Sequence, residues 1–411
     1  MMQVKKPDEL KQRVLIWLES TRGKDALYGT YKMSSSTEAT LFSSCFAVFL
    51  RELYNDLQNI TSRQRQEWID LISGWQDAET GFFIDPRLKN EGLFSEHLGK
   101  DHDWAYVTWQ STCFCLSALK ALGGEIRYPF KFLNEWRGPD KVTSWLESLD
   151  WKRGTWTAGN VAMFLGVCLI TDYEMNRDQR TKEALEAFFA WHDKFQDPRT
   201  GFWGTNYGTP LYIGLFGAMH QYLLYYYMNR PLKYMERIVD NALLIQQPDG
   251  LFSVVGGGGA CEDLDAVDTL VNMYQRIDYR RNDIQKALEK VLVATVNSQN
   301  EDGGFPWAKR HHFGIKDWLR IGLSFKLGFN HWYSSSKEAV LKQTILWNRP
   351  LRPLGWTKTP IPVAESYIFP TWFRSLTLAL ISQVLPENPY SQIEWGFLSA
   401  PGLGYFARVD S

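Results

Sequence analysis

The segment QQPDGLFSVVGGGGACEDLDAVDTLVNMYQ, residues 246–275, joins a turn, four consecutive glycines (Gly256 to Gly259) and an acidic helix start. Its turn, Gln246-Gln247-Pro248-Asp249-Gly250-Leu251-Phe252, has parallels elsewhere. They are Trp75-Gln76 to Gly81-Phe82, Phe195-Gln196 to Gly201-Phe202-Trp203, and Gln299 to Gly303-Gly304-Phe305. Arg153-Gly154-Thr155-Trp156 and Leu354-Gly355-Trp356 are weaker echoes. From Gly154 onward the turns recur roughly every 50 residues, a spacing typical of repeat architectures.

Each turn follows an amphipathic segment and precedes a more apolar one. The amphipathic segments 7–21, 62–75, 179–195, 231–246 and 282–298 have apolar residues at helical spacing and one charged face. The segments 37–55, 103–121, 157–172, 209–227, 260–275, 315–329 and 364–384 are apolar nearly all round and rich in small residues, which marks buried helices. Amphipathic outer helices alternating with buried inner ones predict an all-α protein, an α/α toroid of six or seven helical hairpins. No linker or low-complexity segment interrupts the pattern, so residues 1–411 read as one domain. Glycine suits the ends of the outer helices. The loops after it would then meet at one mouth, where every inner helix begins.

Charge narrows the function. The chain carries 45 Lys and Arg against 46 Asp and Glu, net −1, which argues against a general electrostatic grip on nucleic acid or an anionic membrane. Its 18 Trp, 19 Tyr and 24 Phe exceed what cores usually hold, so some are expected to line a cavity. The cysteines Cys45, Cys113, Cys115, Cys168 and Cys261 are odd in number and mostly in apolar runs, as buried thiols of a reducing compartment would be. No signal region or membrane-length apolar run stands out, and a cytoplasmic location is expected. Neither a metal-ligand spacing nor a phosphate-binding glycine loop is present, so no metal and no cofactor are expected. A nucleophilic serine elbow and a zinc-hydrolase motif are missing too.

The chemistry concentrates after the four glycines, where Glu262, Asp263, Asp265 and Asp268 crowd two helical turns. The helix dipole favours acids there, but burying so many unpaired carboxylates is costly. Asp265 and Asp268 share a face at i, i+3, extended by Cys261 and Asn272. Neighbouring carboxylates in an apolar site raise one another's pKa, so one can be held as a neutral acid. Other polar or aromatic groups fall where inner helices should begin: Asp101, His102, Asp103 and Trp104; Asn206, Tyr207 and Tyr212; His311, His312 and Asp317; and Glu365, Tyr367 and Trp372. Side chains at one mouth converge on one site. His220, in mid-helix, reads as a core histidine.

The Gln-to-Gly-aromatic turns at Gln76, Gln196 and Gln299 resemble the repeat of squalene and oxidosqualene cyclases and of protein prenyltransferase β subunits, although Phe replaces the family's Trp more often than not. The resemblance covers most of the chain as architecture. It implies an isoprenoid substrate. Class II terpene cyclases carry an Asp-x-Asp-Asp motif whose middle Asp donates a proton to an alkene or epoxide. Asp263-Leu264-Asp265-Ala266 supplies its first two aspartates and lacks the last; Asp268 would stand in as a displaced third. By that resemblance Asp265 is the acid, with Asp263 and Asp268 beside it, and the cavity aromatics stabilise carbocations. His102, Asp103, Trp104, Tyr207, Tyr212, His312, Glu365, Tyr367 and Trp372 are the expected substrate contacts. A glycan-active α/α-barrel enzyme (hydrolase, lyase or epimerase) is the second expectation, with Asp265 or Asp268 partnered by Glu365, Asp103 or His102. A non-catalytic ligand-binding toroid is the third. The partner in the first two cases is a small molecule, an isoprenoid or an oligosaccharide.

Overall fold

A computed structural model describes residues 6–23, 26–89, 100–309, 313–341 and 356–409, with only the helical backbone described for 100–103. Fourteen α-helices and no strand are found among the described residues. Six amphipathic helices, α1 (Pro7–Ser20), α3 (Ser62–Ser73), α5 (Pro139–Ser148), α7 (Gln179–Phe195), α9 (Met235–Leu244) and α11 (Arg281–Val296), alternate with more deeply buried ones. The buried set is α2 (Leu41–Leu53), α4 (Lys100–Leu122), α6 (Thr155–Asn176), α8 (Leu211–Tyr227), α10 (Ala260–Arg276) and α14 (Ile368–Ser382). The starts of several helices are written in sequence. Pro7 opens α1, capping boxes at Thr40 with Ser43 and at Thr61 with Gln64 open α2 and α3, and the Asp178 carboxylate caps α7.

The buried helices contact one another in the order α2, α4, α6, α8, α10, α14, and α14 packs back on α2. The neighbour order is therefore a closed cycle. The same closure shows at the turns. The Arg13 guanidinium on α1 donates to Asn300 O at 3.2 Å and Glu301 O at 2.6 Å, joining the last repeat turn to the first helix.

The repeat has a physical cause. In each of the four turns the glutamine amide donates to the carbonyl of its glycine: Gln76 to Gly81 (3.1 Å), Gln196 to Gly201 (2.8 Å), Gln246 to Gly250 (2.9 Å) and Gln299 to Gly303 (2.9 Å). Three reach a second hairpin as well, through Tyr128 O, Lys233 O and Ala287 O. The four glycines have φ between +77° and +102°, a region that disfavours side chains. At Gly303 a Cβ would also lie 2.5 Å from Arg13 O. The turn is thus a staple between hairpins, which is why its residues repeat.

Among the described residues the outer and inner helices form six pairs, within the six or seven expected. One expectation about the layout changes. Segment 315–329 is not a buried inner helix: it forms α12 (Ile315–Leu323) and the approach to α13 (Phe329–Leu341), an insertion between α11 and α14. Its apolar residues give the signal of a buried helix, yet Ile315, Leu319, Leu323, Phe325 and Phe329 are exposed. The weak echo at Leu354-Gly355 lies outside the described residues, and Trp356 is buried in an aromatic cluster.

Candidate functional site

The polar face of α10 is a ladder. Cys261, Asp265, Asp268, Asn272 and Arg276 follow one another three or four residues apart and so share one side of the helix. The lower rungs are bonded. Arg276 Nη1 donates to Asn272 Oδ1 at 2.8 Å, and Asn272 Nδ2 donates to Asp268 Oδ1 at 3.1 Å. The Arg276 guanidinium also lies 4.0 Å from the centre of the Tyr226 ring on α8.

The upper rung differs. Asp265 is 1% exposed, and its Oδ2 has no hydrogen-bond partner among the described residues. Burial raises its pKa well above the usual carboxylate range, with further repulsion from Glu262, Asp268 and Asp263. Asp268 is raised to about 7 by burial, against the pull of Arg276 and the Asn272 hydrogen bond. The Cys261 thiol is pushed up by burial and then by Asp265, so it is protonated and unreactive at neutral pH. Burial and the neighbouring acids thus favour the protonated form of Asp265, and Asp268 is poised to titrate near neutrality.

Asp263 has another task. Its Oδ2 forms a buried ion pair with Arg374 of α14 at 2.5 Å and accepts from Gly259 N at 3.1 Å, while its Oδ1 accepts from Phe252 N at 2.6 Å. Arg374 Nη2 donates onward to Trp307 O at 2.9 Å. The glycine run wraps this carboxylate. All four glycines are buried, and at Gly258 (φ +68°) a Cβ would come within 2.7 Å of Asp263 Oδ2. The run is a closely packed rim, held because only backbone fits against the ion pair.

Aromatic side chains stand beside the acids. Tyr106 of α4 and Tyr367, just before α14, lie near Cys261, and Tyr367 lies near Glu262 and Arg374 as well. Trp307 stacks on Phe369 at 6.0 Å, and Phe369 meets Trp356 at 4.1 Å and Phe46 at 5.0 Å. Trp372 packs on Phe49 at 4.7 Å. This cluster joins α2 and α14 and reaches α4 through Phe114.

The structure thus brings Asp263, Asp265, Asp268 and Tyr367 together and places Trp372 in the adjoining aromatic cluster. Tyr212 is elsewhere, lining a cavity of about 260 Å³ between the glycine run and the α12–α13 insertion, with its ring 5.2 Å from His331. Tyr207 is exposed on a surface turn, and Trp104 is half-buried on α4. Glu365 accepts from Ser36 Oγ at 2.8 Å. His312 and the side chains of His102 and Asp103 lie outside the described residues. Sequence reasoning missed Arg374 and Tyr106. Arg374 had a signal: it is the only charged residue in IFPTWFRSLTLALIS. Among the described residues no cluster of His, Cys, Asp and Glu could hold a metal ion. Neither a protein-family model nor a curated protein matches the chain.

Proposed function

We propose that the cycle of helices is an α/α toroid of six hairpins and that Asp265 is a Brønsted acid acting on an electron-rich isoprenoid. The observation that carries this reading is a buried carboxyl with no cation beside it among the described residues, whose protonated form is favoured by burial and by neighbouring acids. Asp265 Oδ–H protonates an alkene carbon or an epoxide oxygen, leaving a carboxylate and a carbocation. Tyr106 and Tyr367, the aromatic residues near Cys261 one turn before Asp265, are the groups assigned to stabilise that cation. Loss of a proton to a base ends the sequence and yields an isomer of the substrate.

Asp263 supports the acid indirectly, because its pairing with Arg374 fixes the start of α10. Asp268, bonded to Asn272, adds negative charge as it ionises and so holds the proton on Asp265 more firmly. A ligand-binding toroid without chemistry would be expected to pair Asp265 with Arg or Lys; Arg374 goes to Asp263 instead. The apolar, aromatic surroundings also suit a hydrocarbon better than a sugar, whose hydroxyls need polar partners.

Farnesyl, geranylgeranyl and squalene-type substrates incubated in D2O provide the test. A cyclised product carrying one solvent deuterium is expected, and Asp265→Asn should abolish it while leaving the circular dichroism unchanged. Product formation by Asp265→Asn, or product without solvent deuterium, would remove Asp265 from this role.

A further inference from the structure

The α12–α13 insertion turns its apolar side outward. Ile315, Trp318, Leu319 and Leu323 lie at i, i+3, i+4 and i+8, on one stripe of α12, and are 45% to 81% exposed. Phe325 and Phe329 continue the exposed surface toward α13. Residues 315–340 hold half of the large hydrophobic side chains found exposed among the described residues. The inward side of α12 is different: Ile321 is buried against Val255, which precedes the glycine run, and Arg320 Nη2 donates to Gln246 O at 2.6 Å. An amphipathic helix with its apolar stripe facing water is normally covered by something else.

Charge identifies what covers it. Although the chain is balanced at −1, α12 to α13 carry Lys316, Arg320, Lys326 and Lys337 against Asp317 and Glu338, a net of +2. Lys316, Lys326 and Lys337 are exposed on the insertion itself. The even balance of the whole chain therefore hides a local excess of positive charge. A second copy docked on this face would bring like charges together. An anionic bilayer surface satisfies both features, because apolar and aromatic groups enter the headgroup boundary while lysines meet lipid phosphates. No helix among the described residues is long and apolar enough to cross a membrane, so the geometry required is a helix lying in the interface.

We propose that α12 and α13 form a docking face for an anionic lipid bilayer. The proposal stands on exposure and charge and is independent of the chemistry at Asp265. The test is flotation of the full chain with vesicles of phosphatidylcholine alone and of phosphatidylcholine mixed with phosphatidylglycerol, at low and high salt. Binding to the mixed vesicles that weakens with salt is expected. Leu319→Glu with Phe329→Glu should reduce it about tenfold or more. Lys316→Gln with Lys326→Gln should reduce the preference for anionic vesicles by a similar factor, about tenfold. The lysine pair carries the test if the apolar pair does not fold. Three results would overturn the proposal. One is no binding of folded protein to mixed vesicles. The second is binding insensitive to both lipid charge and these substitutions. The third is a dimer, seen by light scattering, that the same substitutions dissociate.

Discussion

Asp268→Asn should stabilise the protein near neutral pH and flatten the pH dependence of its stability. Burial, only partly offset by Arg276 and Asn272, raises the Asp268 carboxyl from 3.8 to about 7. In the unfolded chain it titrates near the ordinary aspartate value, roughly 3.9. The folded state therefore holds a proton that the unfolded state gives up. The stability linked to that proton is present in full below the unfolded pKa and is lost as pH rises through the folded one. From pH 5 to pH 7 the loss from this one group comes to about 2 kcal/mol. Asparagine keeps the shape, can accept the same Asn272 amide and has no proton to lose. Urea unfolding of both proteins at pH 5, 6 and 7 measures the difference, which should grow in favour of the variant by about that amount. A difference that stays constant over this range would refute the reasoning, because Asp268 would then be ionising as a solvated carboxylate, and the dry environment claimed for its neighbour Asp265 would fall with it.

Two further outcomes test the frame around the site. Arg374→Met leaves Asp263 buried without its cation and should cost about 3–5 kcal/mol in denaturant unfolding, part of which Asp263→Asn in the same chain should restore. Gly303→Ala forces a Cβ toward Arg13 O in a left-handed backbone and should cost about 1–3 kcal/mol, with the loss of hydrogen-exchange protection concentrated where α1 meets the last turn.

The repeat was legible because each copy does the same local work. A glutamine that staples its own turn and a glycine that must adopt positive φ leave their mark within a few residues, so the pattern gave five of the outer helices and the six inner ones, while the short α5 was not among the amphipathic segments read from sequence. The insertion was misread for a related reason. Apolar content reports that a surface avoids water but not what shields it, and Ile315, Leu319 and Leu323 have the same spacing whether they face a core or lie exposed at the surface.

The acids show where local pattern ends. Asp263 and Asp265 are two residues apart, hence about 200° apart around α10, and face different surroundings. Asp263 points to the glycine run and to Arg374, which lies 111 residues away in sequence. Asp265 points the same way as Asp268 and meets no cation among the described residues. The motif shows that acids cluster at a helix start, and only the position of Arg374 determines which one is neutralised as an ion pair and which must keep its proton. That division also gives the cluster its logic. If Arg374 faced Asp265, the acid would be ionised and Asp263 would be left unpaired against the packed glycines. With Arg374 on Asp263, a charged anchor and a buried acid coexist two residues apart on opposite sides of α10, and the anchor's ion pair fixes the helix start that carries the acid.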